Sequence, residues 1–118
     1  VTQSIAVRRD PFARAGSEKR VEAPARWSSP WGLFIHPRYR QDETFAERGA
    51  YVIAHAESGK ALHAGSFKRL RDAREVAEAL LTIGDWRRTG RELSADRELA
   101  EGTRRIIAGA WAGEMMNR

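Results

Sequence analysis

The chain has 118 residues, enough for one domain with a core that needs no covalent staples. Its 42% hydrophobic and 31% charged residues are those of a globular chain, and the absence of cysteine excludes disulfides, iron–sulfur clusters, zinc fingers and thiol catalysis. The formal net charge of +5, carried mostly by arginine beside only three lysines, favours acidic partners: nucleic acid first, an acidic protein next.

Residues 1–30 read as a basic N-terminal arm. Pro11, Gly16, Pro24 and Pro30 interrupt any period, and Arg8, Arg9, Arg14, Lys19, Arg20 and Arg26 outnumber Asp10, Glu18 and Glu22. Ile5, Val7, Phe12 and Val21 are its candidate anchors. Arginines stand where a secretory leader would have its apolar core, and no apolar run in the chain is long enough to cross a bilayer, so a cytoplasmic protein without membrane contact is expected.

Residues 31–118 read as a single α+β domain. Trp31, Leu33 and Ile35 alternate with Gly32, Phe34 and His36, which predicts a strand over 31–37, with Pro37 ending it or marking a sheet edge. The polar stretch 41–49 reads as a loop. AYVIAHA predicts a strand over 50–56, and residues 61–67 a third, joined by the turn Glu57-Ser58-Gly59-Lys60.

That turn decides where two of the three histidines point. A left-handed Gly59 closing a bulged turn would pair His55 with Ala61 and Ile53 with His63. Tyr51, Ile53, His55, Ala61 and His63 then share the face turned away from the first helix, while Val52, Ala54, Leu62 and Ala64 face it. A metal would need further ligands and no acid shares that face, so neither metal nor cofactor is expected. Gly-Lys at 59–60 lacks the spacing of a phosphate loop, and no hydrolase or metalloprotease motif occurs. A non-enzymatic protein is expected.

Leu70, Ala73, Val76, Ala77, Leu80 and Leu81 fall on one helical face, which predicts a helix over 70–83 capped by Gly84. A polar connection over 85–93 follows. Ser94 then begins a second helix over 95–115 with the stripe Leu99, Thr103, Ile106, Ile107, Ala110 and Trp111. The expected architecture is a three-stranded antiparallel sheet packed by one helix, with a second C-terminal helix and an extended N-terminal arm. Three strands followed by a helix over 31–84 is, in topology, similar to the sheet-and-helix modules of integrase arm-binding domains and to the C-terminal part of double-stranded-RNA-binding domains. No motif of either transfers residue by residue.

Two candidate surfaces follow. Lys60, Lys68, Arg69, Arg71 and Arg74 run from the hairpin into the first helix, and Arg87, Arg88 and Arg91 stand beside Trp86. Cations near a helix start, with an aromatic ring for stacking, suit phosphates and a base, whether of DNA or RNA. The alternative is a protein-interaction module, an accessory subunit or inhibitor docking through its arm, an open sheet face or the C-terminal helix. Trp27, Trp31, Tyr51, Trp111, Met115 and Met116 would form that interface, with a homodimer among the outcomes.

Overall fold

The computed structural model describes residues 1–7 and 19–117. Within them the start of the chain is not an extended arm. β1 (Thr2–Val7) and β2 (Lys19–Pro24) pair antiparallel as a separate two-stranded sheet with Ile5 opposite Val21, and the next strand, β3 (Trp27–Ser28), joins the main sheet. The expected anchor Phe12 and the cations Arg8, Arg9 and Arg14 lie outside the described residues.

The main sheet has five strands rather than three. Its order is β3, β4 (Leu33–Pro37), β5 (Tyr51–His55), β6 (Ser66–Phe67) and β7 (Met116–Asn117), all antiparallel. Sequence alternation over 31–37 and 50–56 finds the two central strands. The third expected strand shrinks to its last two residues, with a lone bridge between Ala54 and Ala61. Pro37 ends β4 beyond the reach of β3, whose partners are Ile35 and Phe34, so its missing N–H costs that pairing nothing.

Three helices occur among the described residues: α1 (Leu70–Leu81), α2 (Gly90–Ala95) and α3 (Arg97–Ala112). The first and last present the expected stripes, with Ala73, Val76, Ala77 and Leu80 buried on α1 and Leu99, Thr103, Ile107 and Ala110 on α3. α2 replaces part of the expected polar connection. Thr89 caps it, its side chain accepting from the Glu92 N–H while the Glu92 carboxylate accepts from the Thr89 N–H. Asp96, not Ser94, caps α3 by accepting from Leu99 N–H at 3.0 Å. α1 ends on Thr82 rather than on Gly84, whose bare α-carbon instead lets Leu99 approach. α3 stops short of the expected residue 115: Glu114 turns left-handed (φ 58°), the Met115 N–H returns to the Ala110 carbonyl, and the chain enters β7.

The layers explain why β4 is buried along its whole length. Leu33, Ile35, Ile53 and Phe67 pack with the buried faces of α1 and α3. Phe34 and Ala54, on the other side of the sheet, pack with Ile5 and Ala23 of the β1–β2 hairpin. Helices, five-stranded sheet and hairpin thus form three layers. The expected facing of β5 is reversed: the Ile53 side meets the helices and the Ala54 side meets the hairpin. No helix among the described residues is long and apolar enough to cross a membrane.

Candidate functional site

The turn after β5 differs from the expected bulged-hairpin register. Gly59 is left-handed, as its place in the turn requires (φ 72°), yet its N–H reaches back to the His55 carbonyl, and the His55 N–H donates to the Lys60 carbonyl at 2.9 Å. This places Ala61 opposite Ala54, so His55 and His63 do not become neighbours on one face of a regular ladder.

Each histidine is spent on local architecture. His55 is almost fully buried, and its Nε2 lies 2.9 Å from the Trp86 carbonyl and 2.8 Å from the Arg88 carbonyl. Two acceptors around one nitrogen put the proton on Nε2. Nδ1 is then left to accept from Ser58 Oγ at 2.8 Å. The Ser58 oxygen in turn accepts from the Lys60 N–H at 3.2 Å. His55 therefore rivets the hairpin tip to the 86–88 segment. His63 accepts the Ile53 N–H at Nε2 (3.0 Å) and lies by the Ala64 carbonyl through Nδ1 (3.0 Å). No group of three or more metal-ligating side chains occurs among the described residues.

The riveted hairpin, the segment from Trp86 to Ser94 and one side of α3 line an open cleft of about 740 Å³. Leu62, Leu93, Leu99 and Ala100 give it apolar walls, and buried Trp86 contributes to the lining. Its cations come from four separate segments: Arg20 on β2, Lys60 on the hairpin, Arg91 on α2 and Arg104 on α3. Glu57 is the one acid lining it among the described residues, and its carboxylate accepts the Gly90 N–H at 3.0 Å. Arg20 also latches the N-terminal hairpin onto the turn by donating to the Ser58 carbonyl, and the Ala6 N–H donates to the Gly59 carbonyl beside it. A side chain at position 59 would strike Ser4 and Ala6, so glycine is needed there for space as well as for its φ.

The structure divides the basic residues picked out from the sequence. Lys60 and Arg91 meet at the cleft. Lys68, Arg69 and Arg71 are exposed at the start of α1, at the other end of β5, where Phe67 pairs with Tyr51. Arg74 pairs with Glu78 one helical turn on, at 3.1 Å. Arg87 pairs with Asp85 at 3.0 Å and lies 4.8 Å over the Trp31 ring. Arg88 bridges Asp96 and the Asp85 carbonyl, both at 3.0 Å. The hydrogen bonds from Arg87 hold the Asp85 carboxyl below its ordinary range; those from the Leu99 N–H and then Arg88 do the same for Asp96. Trp86 is buried and donates its indole N–H to the Leu80 carbonyl at 2.8 Å, so it offers no open face to a base.

Of the expected interface residues, Trp27, Tyr51, Trp111 and Met115 are half-buried against the helix-side core, and Met116 is within it. Trp31 remains 54% exposed. Arg20 and Arg104 are cleft residues that sequence reasoning did not single out. Arg104 carried a usable signal, since it follows Ala100 by one helical turn along the edge of the apolar stripe. Arg20 carried none, because only the folding-back of β2 brings it to the hairpin.

Compared with protein-family models, curated proteins and solved structures, the chain matches none.

Proposed function

We propose that this is a small, basic, non-enzymatic protein of the cytoplasm that binds nucleic acid, DNA or RNA, by gripping phosphates. The observation that carries this is the convergence of Arg20, Lys60, Arg91 and Arg104 on one cleft where Glu57, the one acid lining it among the described residues, has one carboxylate oxygen bonded to the Gly90 N–H. Positive side chains around a concave surface focus the field on an approaching polyanion. Lys68, Arg69 and Arg71 extend the positive surface at the far end of β5. Arg87 and Arg88 are held by Asp85 and Asp96 and do not line the cleft, so they are not among the phosphate contacts.

The test is fluorescence anisotropy of labelled DNA and RNA over a range of salt. Affinity is expected to fall steeply and linearly on a log–log plot, because each neutralised phosphate releases counterions. Lys60→Ala and Arg91→Ala should each lower the slope by about 1, whereas Arg87→Ala should leave it unchanged. Absence of salt-dependent binding to any nucleic acid overturns the proposal.

The alternative, a protein-interaction module, draws support from Trp31, a large exposed aromatic beside the short edge strand β3. It predicts a homodimer or a tightly retained partner by light scattering, with weak salt dependence, and loss of the complex in Trp31→Ala.

A further inference from the structure

We infer that the cleft holds one unstacked nucleotide, with its base between the apolar walls and its phosphate among the rim cations, so that the protein prefers single strands to duplex. This rests on the nucleic-acid binding proposed above and adds which form of the polymer is bound and which part of it is read.

Shape and chemistry support this occupant. An open cleft of about 740 Å³ has room for a nucleotide-sized ligand. Leu62, Leu93, Leu99 and Ala100 suit the faces of a base, and the rim cations suit the phosphate attached to it. Grooves of duplex DNA are entered by protruding elements, and a concave site between a hairpin and two helices cannot reach stacked base edges. A base turned out of its stack can enter it.

The polar groups in the lining also set a preference. Ser94 donates its hydroxyl hydrogen to the Gly90 carbonyl at 2.8 Å, and Thr103 donates its own to the Leu99 carbonyl at 2.8 Å. What these side chains have left to offer is oxygen lone pairs. The second oxygen of the Glu57 carboxylate is likewise an acceptor. Apart from the four rim cations, which are donors assigned to the phosphate, these oxygens are acceptors and favour a base bearing an exocyclic amino group, so adenine and cytosine should bind better than thymine or uracil.

The experiment measures anisotropy with a labelled single strand and its duplex at one salt concentration. Oligo(dA), oligo(dC) and oligo(dT) are compared, with AMP and inorganic phosphate as competitors. The single strand is expected to bind about tenfold tighter than the duplex, from burial of the unstacked base against the apolar walls. Oligo(dA) and oligo(dC) should exceed oligo(dT), and AMP should compete where phosphate at the same concentration does not. Ala100→Trp fills the cleft while leaving the four cations in place. It should erase the single-strand preference yet keep the salt slope, with circular dichroism confirming the fold. If that variant unfolds, Ser94→Trp on the exposed side of α2 is used in its place. Equal affinity for single strand and duplex, or an unchanged preference in a folded cleft-filled variant, overturns the inference while the phosphate-binding surface stands. Saturable AMP binding without polymer binding would uphold the cleft and overturn the polymer proposal. Loss of both overturns both.

Discussion

His63 does the work of a strand carbonyl. Residues 62–65 leave the ladder, and the Ile53 N–H that would have faced a neighbouring strand donates to the His63 Nε2 instead. That bond requires a neutral ring with its proton on Nδ1, which then donates to the Ala64 carbonyl. The ring edge also meets Phe67, with centroids 5.1 Å apart at 83°. Burial lowers the pKa of His63 below its ordinary 6.5; it also lowers that of His36, to which a charge on His63 would add repulsion. A histidine held neutral in the fold but free to protonate when unfolded makes the unfolded state the stronger proton binder as pH drops. The stability contributed by both rings is therefore complete above 6.5 and is lost as pH falls from there through the lower folded-state values. Urea unfolding at a series of pH values should give a plateau above about pH 7 and a decline toward about pH 5. His63→Phe should cost about 1–3 kcal/mol at neutral pH by stranding the Ile53 N–H, and should make the acid decline shallower. A decline as steep as in the parent protein would show that His63 is not one of its sources.

The β1–β2 hairpin is the element that turns an open sheet into a covered one. Ile5 is 3% exposed and Ala23, Phe34 and Ala54 are fully buried, so the hairpin seals the face that α1 and α3 do not reach. Removing the Ile5 side chain to Cβ leaves a cavity between two thin layers, and Ile5→Ala should cost about 2–5 kcal/mol in urea unfolding. A negligible loss would mean that the hairpin rides on the sheet without stabilising it. The sequence hides this element for a physical reason. TQSIAV and KRVEAP each bury a single side chain, and the surface they bury it against, Phe34 and Ala54, lies in the middle of the chain. Periodicity is legible when an element buries several of its own residues, as α1 and α3 do, and fades when it contributes one or two. The two-residue strands β3, β6 and β7 fall below any period. The α2 capping box, Thr89 with Glu92, lies inside the stretch 85–93 read as a polar connection. The hairpin register escaped because the His55 and Ser58 side chains, not the backbone alone, close the turn. Of the cleft, Lys60 and Arg91 were found from charge alone; its enclosure depends on α2 and on the returning β2, so a site made of four distant segments could not be read from any one of them.

At the scale of the whole molecule, the main sheet is closed at one edge by the strand that follows the β1–β2 hairpin and at the other by the last residues of the described chain. Trp27 and Ser28 supply one edge, and Met116 and Asn117 the other. Phe67 sits between Tyr51 and Met116 in adjacent strands, so the last strand packs on the same core that carries β4, β5 and both long helices. The Asn117 amide fixes this edge by donating to the Ser66 carbonyl and hydroxyl at 3.1 and 3.0 Å. Because β6 and β7 are joined through α1, α2 and α3, loss of the edge pair cannot stay local; it loosens the seating of α3, whose Ala110 carbonyl also holds the Met115 N–H. Met116→Ala should therefore cost about 2–5 kcal/mol, the range for emptying a buried methionine site. The loss should lower one common transition rather than create an early partial one. The tryptophans make this observable, since Trp31 lies beside the β3 edge, Trp86 by the cleft and Trp111 on α3, while circular dichroism follows the helices. Coincident midpoints by fluorescence and circular dichroism, both shifted down, are the expected outcome. If the two signals separate, with the β7 edge and α3 melting before the sheet, the three layers are not one cooperative unit, and the cleft between α3 and the hairpin would then open without global unfolding.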